Sequence, residues 1–395
     1  KGFLMSSFVN DVTENLASYP METLKEIKEG LELKGKKIFD FGTGDPKIPM
    51  PSFLAQTICE NIPKISQYPS IKGTKKLFDA HVSYLSRRFN ISKFDSMSIL
   101  PSRGSKEAIF HIALSLISRG SKKRKIIYPS PGYPVYKSSI DFAGGEPYPV
   151  QLKEENKFRL EPWLLPKSVI NETKAVWVNY PHNPTGATVD QSYWCKLLDW
   201  CHDNSIILLS DECYMDIYDH ESSFKPQSPL ALSSELVISF HSLSKRSGLT
   251  GVRAGFIAGD KRILDPHIRA RANFGLALPD FIQAAAAAAW GDDKHVIARR
   301  KIFTERRNHS FKVLNNLGLI SEKPQAGFYM WCKLPRAYEG QDEKFCLSLA
   351  EKGVITTPSS WLGDQTKGYF RLALVPDMDD TLEAMDIIKE YISEI

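Results

Sequence analysis

The chain has 395 residues, 42% of them hydrophobic and 25% charged, with 51 basic against 46 acidic side chains and a formal net charge of +5. That composition is ordinary for a globular protein large enough for two or three domains, and so small a positive surplus argues against a nucleic-acid partner. No run of about 18 apolar residues is present to span a membrane, and the first residues carry neither a long apolar stretch nor the A-x-A site of a signal peptide.

Met5 is a candidate start, with Lys1–Leu4 as an extension before it. The cysteines, Cys59, Cys195, Cys201, Cys213, Cys332 and Cys346, form no C-x-x-C pair. A zinc or disulfide framework is therefore not expected, no metal is assigned, and reduced thiols in a cytoplasmic protein are the reading.

In chain order, Ser105 opens a helix that places Ile109, Phe110, Ala113, Leu114 and Ile117 on one side. The basic run Lys122–Lys125 reads as a solvated turn before a strand. Four short apolar runs follow, each ending in a polar or Gly/Pro-rich cluster: Lys125–Tyr128, Ala175–Asn179, Ile206–Ser210 and Val237–His241. Asp190 is a candidate N-cap for a helix carrying Trp194, Leu197, Leu198 and Cys201. The six alanines Ala284–Ala289 beside Trp290 read as a tightly packed helix. Buried strands alternating with helices predict an α/β fold whose sheet is largely parallel and covered on both faces. Ligands of such sheets bind beyond the carboxyl ends of the strands, an edge that would gather Tyr133, Asn183, Asp211, Tyr214 and Lys245.

That group suits an anionic aromatic cofactor with a carbonyl. A lysine amine forms an imine, a carboxylate pairs with a protonated ring nitrogen, and phosphate takes a helix N-terminus, hydroxyls and an arginine. Lys245, Asp211 and the set Gly104, Ser105, Lys106, Ser242 and Arg253 supply these. Taken singly, Lys245 could be a solvated turn residue, Asp211 a cap, Tyr68 and Tyr133 packing aromatics, and Arg371 a surface ion pair. His182 and His241 read as packing residues beside the site.

The ordered segments GDP (Gly44–Pro46), YPSIKG (Tyr68–Gly73), RGSKEAIF (Arg103–Phe110), PGYPVY (Pro131–Tyr136), NPTG (Asn183–Gly186), SDECY (Ser210–Tyr214), SLSKRSGLTGVRAGF (Ser242–Phe256), AGFYMW (Ala326–Trp331) and YFRLAL (Tyr369–Leu374) carry a family. From about Asp40 to Leu374 the chain resembles the class I and II pyridoxal-phosphate aminotransferases of fold type I. The resemblance implies a large cofactor-binding domain over 46–280 and a smaller α/β domain from 1–45 and 281–395. It implies pyridoxal 5′-phosphate held by Lys245 as an imine, with Lys245 also moving the substrate proton, and Asp211 facing the ring nitrogen. Tyr214 and Asn183 would meet the ring oxygen and Tyr133 would stack on the ring. Gly104, Ser105, Lys106, Ser242 and Arg253 would hold phosphate, with Tyr68 reaching it across a homodimer interface. Arg371 would clamp the substrate α-carboxylate beside Gly44 and Asn183.

Longer stretches, including ASYPMETL (Ala17–Leu24), HSLSKRSGLTGVRAGFIAGD (His241–Asp260) and AAAAAWGDDKHV (Ala285–Val296), look most like the N-succinyldiaminopimelate aminotransferases. This implies ping-pong amino transfer from N-succinyl-L,L-diaminopimelate to 2-oxoglutarate in lysine and diaminopimelate biosynthesis. An aspartate or broad aspartate/aromatic aminotransferase is the alternative, and a carbon–sulfur lyase a weaker one. The stretch Asn273–Pro279 lacks a cation, leaving Arg103, Lys72, Lys47 or Arg271 to read a distal carboxylate. A nicotinamide dehydrogenase fits poorly, because Gly42-Thr43-Gly44 is followed by Lys47 where a third glycine belongs. A DNA-binding regulator on this fold would need a helix-turn-helix domain ahead of Phe41, where the segment is too short.

Overall fold

A computed structural model describes residues 8–16, 20–62 and 67–395. The possible extension Lys1–Leu4 and part of the Ala17–Leu24 stretch lie outside the described residues.

Seven strands form the main sheet, side by side in the order Met97–Ser102, Gly255–Asp260, Val237–Ser242, Ile207–Asp211, Thr173–Asn179, Lys125–Ser130 and Glu146–Gln151. Gly255–Asp260 runs antiparallel to both neighbours and every other pairing is parallel. The four apolar runs read from sequence are four of these strands. Their burial follows the two-residue period of a pleat. Val176, Val178 and Leu208 enter one core, while Ala175, Trp177, Ile207 and Leu209 enter the core on the opposite face. With both faces covered, a continuous apolar run is what such a strand requires.

Helix Gln191–Asp203 starts where the sequence placed it, with the Asp190 carboxylate accepting the Tyr193 amide at 2.9 Å. It buries Tyr193, Trp194, Leu197, Trp200 and Cys201. The alanine run lies in helix Asp280–Gly291. Its small side chains allow close packing on helices Ser52–Asn61 and Lys75–Phe89, and Ala286, Ala287, Ala289 and Trp290 join the core of the large sheet. In the basic run, Arg124 and Lys125 pair with Glu146, and Lys125 also with Glu172.

A second core lies around a three-stranded antiparallel sheet of Thr357–Pro358, Tyr369–Ala373 and Tyr329–Lys333. Helices Lys294–Asn316, Asp342–Glu351 and Met378–Glu394 cover it with Phe303, Phe345 and Ile388. Cys213, Tyr214 and Ile217, which follow directly on a strand of the large sheet, are buried in this second core. The chain after Asp211 therefore ties the two cores together.

One buried charge cluster underlies that tie. Asp216 accepts from Arg88 Nε at 2.9 Å, Arg246 Nε at 3.0 Å and the Tyr84 hydroxyl at 2.9 Å. Burial alone would raise its carboxyl, but Arg246 and Arg88 pull it down to about 2. A depressed carboxyl stabilises the fold above its unfolded value near 3.8 and loses that contribution as pH falls toward 2. Asp216→Ala leaves two guanidiniums without this partner and is expected to cost about 3–5 kcal/mol. Thermal melts should show a large loss for the variant at pH 7 that narrows toward pH 2; a constant difference across that range would contradict the assignment.

Candidate active site

The carboxyl edge of the large sheet forms one wall of a cavity of about 510 Å³. Strand ends deliver Asn179, Asp211 and Ser242, and the short helix Leu243–Arg246 delivers Lys245. Helix Ser105–Leu116 points its N-terminus at the cavity through Ser105 and Lys106. Its N-cap, Gly104, has φ 78° and makes no side-chain cap, and a helix N-terminus of this kind suits an anion. A Cβ on Gly104 would lie 2.8 Å from Arg253 Nη2, so glycine there lets the helix start and the guanidinium close together. The opposite wall comes from the smaller sheet, through Tyr329 and Arg371, and from the segment Thr43–Asp45.

Asp211 is 5% exposed, and its carboxylate accepts from the Tyr136 hydroxyl at 2.8 Å and the Cys213 amide at 3.3 Å. No ion pair to it is formed among the described residues. Burial therefore raises its carboxyl above the usual value, against the pull of these hydrogen bonds. Asn179 fastens the same strand end, donating to the Asp211 carbonyl at 2.8 Å and accepting the Asn183 amide at 2.8 Å.

Lys245 donates its ammonium to the Gly44 carbonyl. Burial brings the amine down to about 8, with Arg371 and Arg253 pushing the same way against Asp45 and Cys213. Arg371 is buried and donates to Asn183 Oδ1 at 3.0 Å, to the Gly42 carbonyl at 2.7 Å and to Thr357 Oγ1 at 3.2 Å. The Tyr214 and Tyr329 hydroxyls are 2.9 Å apart, and burial pushes the Tyr214 phenol well up, so it keeps its proton at neutral pH. A cavity with Lys106, Lys245, Arg253 and Arg371 at its walls, Asp211 buried at its floor and Asp45 exposed at its rim suits an anionic ligand that carries a positive ring group.

Of the residues expected from sequence, Gly44, Ser105, Lys106, Tyr133, Asn183, Asp211, Tyr214, Ser242, Lys245, Arg253 and Arg371 line this cavity, with Gly104 beside Arg253. Tyr68 is fully exposed and does not line the cavity of its own chain. Of the distal-carboxylate candidates, none of Arg103, Lys72, Lys47 and Arg271 lines the cavity of its own chain, and Arg271 needs correction. Arg271 is 1% exposed, paired with Glu107 and bonded to the Pro101 carbonyl, so packing consumes its charge. His182 and His241 are buried, and desolvation holds both near 3, so they are neutral; His241 stacks on Phe256 at 4.5 Å. Sequence reasoning gave no role to Tyr136, Asn179 or Tyr329. Tyr136 and Tyr329 sit inside segments already singled out, but the direction of a side chain within a motif is a property of the fold.

Residues 36–388 match the family model for aminotransferase class I and II. The chain is 35% identical to LL-diaminopimelate aminotransferase 2 of Trichormus variabilis, covering 91% of this chain and 93% of that one. It is 32% identical to LL-diaminopimelate aminotransferase of Aquifex aeolicus, over 96% and 98%. Among solved structures, an aminotransferase from Neisseria meningitidis superposes with a TM-score of 0.89 at 30% identity, covering 97% of this chain and 100% of that one. These relatives overturn the expected donor, N-succinyl-L,L-diaminopimelate. Five curated relatives are named for LL-diaminopimelate itself, with no succinyl group.

The burial of Lys245 makes its own test. Amine labelling of the cofactor-free protein, followed at Lys245 by peptide mass, should rise with a midpoint near pH 8. A midpoint at the ordinary value of 10.5 would contradict the buried environment.

Proposed function

This chain belongs to the class I and II aminotransferases, which depend on pyridoxal phosphate, and on that premise we propose that it moves an amino group between LL-diaminopimelate and a keto acid. The observation that carries the donor is the relatives' shared name at 35% and 32% identity over more than nine-tenths of each chain. The role this gives the enzyme is in diaminopimelate metabolism leading to lysine.

The donor set fits the cofactor. Buried Asp211 without a cationic partner suits a protonated ring nitrogen, and the N-terminal amides of helix Ser105–Leu116, the Ser242 hydroxyl and Arg253 suit a phosphate. When bound, pyridoxal phosphate supplies a ring that draws off the electrons left when the substrate Cα loses its proton. Lys245 is the residue that would hold the cofactor's carbonyl carbon, and its freed Nζ would be the base that moves the proton at the substrate Cα. An amine near 8 is half-deprotonated close to physiological pH, which suits both tasks. Tyr214 and Asn183 would meet the ring oxygen, Tyr133 would cover the ring, and Gly44 and Asn183 would border an α-carboxylate held by Arg371, all of them residues that line the cavity. Asp45, exposed at the rim, is the lining carboxylate left to meet a distal ammonium.

The domain division is also a proposal: 46–280 around the large sheet, 1–45 and 281–395 around the smaller one. Packing supports moving the second boundary past helix Asp280–Gly291, which sits in the first core. A homodimer in which the exposed Tyr68 reaches the partner's phosphate is proposed on the same resemblance. A cytoplasmic location is supported by six free cysteines.

The test is amino transfer to a keto acid from LL-diaminopimelate and from L-aspartate. The expected kcat/KM preference for LL-diaminopimelate is about tenfold or more, and Lys245→Ala should abolish turnover while still binding pyridoxal phosphate. Preference for aspartate would overturn the donor, and turnover by the Lys245→Ala variant would overturn the assignment of the lysine.

A further inference from the structure

We infer that Tyr329 is a positioning residue with two arms: its hydroxyl sets the donor direction of Tyr214, and its ring seats the guanidinium of Arg371. The inference rests on the aminotransferase reading above and names a residue that the motifs left without a role.

Tyr329 begins strand Tyr329–Lys333, which pairs with the strand carrying Arg371, and it is 2% exposed on the cavity wall. Its hydroxyl lies 2.9 Å from that of Tyr214, and the two rings meet edge to face at 5.5 Å and 72°. The Arg371 guanidinium carbon stands 4.7 Å over the Tyr329 ring. Arg371 Nε is buried without a hydrogen-bond partner among the described residues, so the aromatic face supports the guanidinium where hydrogen bonding does not. Gly44, whose carbonyl accepts from Lys245, fits against the same hydroxyl, and a Cβ there would collide with it. One side chain thus touches the segment holding the lysine, the cofactor-facing phenol and the carboxylate-binding arginine.

A phenol has one proton to give. If Tyr214 donated to Tyr329, no proton would be left on Tyr214 for the ring oxygen of the cofactor. If Tyr329 donates, Tyr214 is free to donate onward, and the bond it receives polarises and strengthens the bond it gives. Donation to the ring oxygen favours its ionised form and so lowers the pH at which the lysine-bound cofactor loses its proton. The hydroxyl of Tyr329 therefore acts on the cofactor through Tyr214, and the ring acts on substrate through Arg371.

Two substitutions separate the arms. Tyr329→Phe removes the hydroxyl and keeps the ring, while Tyr329→Leu removes both. The readouts are the pH titration of the absorbance of bound pyridoxal phosphate and the KM for the amino donor. Tyr329→Phe should move the titration midpoint up by about half a unit or more and leave the donor KM within about twofold. Tyr329→Leu should add a rise of about tenfold in KM. The double variant Tyr214→Phe/Tyr329→Phe should titrate like Tyr214→Phe alone, since both act through one hydroxyl. An unmoved midpoint in Tyr329→Phe, an additive double variant, or equal KM changes in Phe and Leu would each overturn the inference. If Leu fails to fold, as a thermal melt would show, the Phe variants still decide the hydroxyl arm. A wild-type protein that binds no pyridoxal phosphate would instead overturn the aminotransferase reading itself.

Discussion

A carboxylate buried without a cation beside it is the constraint from which the rest of this site follows. Asp211 ends a central strand whose neighbours on both sides are also buried, so it is reached only from the cavity, and its hydrogen bonds come from a phenol and an amide rather than a charge. Such a group is costly in a protein standing alone. It becomes favourable when a ligand brings positive charge to it, and the remaining cavity walls supply the cations that such a ligand's anionic parts require. The two ends of the cavity are thus complementary to one molecule with separated charges.

The second requirement is that two separately packed cores meet at this point. Asp40 does much of the joining. Its Oδ1 accepts the amides of Gly42 and Thr43 at 3.1 Å each, and its Oδ2 takes Lys28 Nζ at 2.9 Å. The segment so shaped presents the Gly42 carbonyl to Arg371 and the Gly44 carbonyl to Lys245. A residue of the large sheet's edge and a residue of the small sheet are therefore held by one short stretch of backbone, and the chain from Asp211 to Ile217 makes the reciprocal crossing.

Much of this was legible in the sequence because the large sheet is covered on both faces. Its strands read as uninterrupted apolar runs such as Ala175–Asn179, and the polar residues that end them fall together at the carboxyl edge. Asp190 marked its helix start because a side-chain cap is a local interaction. The resemblance carried the roles of Lys245 and Asp211, which spacing alone did not distinguish from a turn residue and a cap. What stayed hidden depends on contacts between distant segments. Tyr136 reaches Asp211 across 75 positions and Tyr329 reaches Tyr214 across 115. Arg271 read as a free cation because its partner Glu107 lies on another helix. The substrate was misjudged for a related reason: likeness over whole stretches, including Ala17–Leu24 and Ala285–Val296 away from the cofactor residues, reports descent rather than the contacts that select a donor.

The most direct test of the account is the thermal stability of the wild-type protein and Asp211→Asn, each measured with and without pyridoxal phosphate. If Asp211 is a buried charge waiting for a cation, the amide removes its burial cost. Asp211→Asn should then melt above the wild type without cofactor and gain much less from its addition. A variant that melts below the wild type without cofactor, yet gains as much on binding it, would contradict the account.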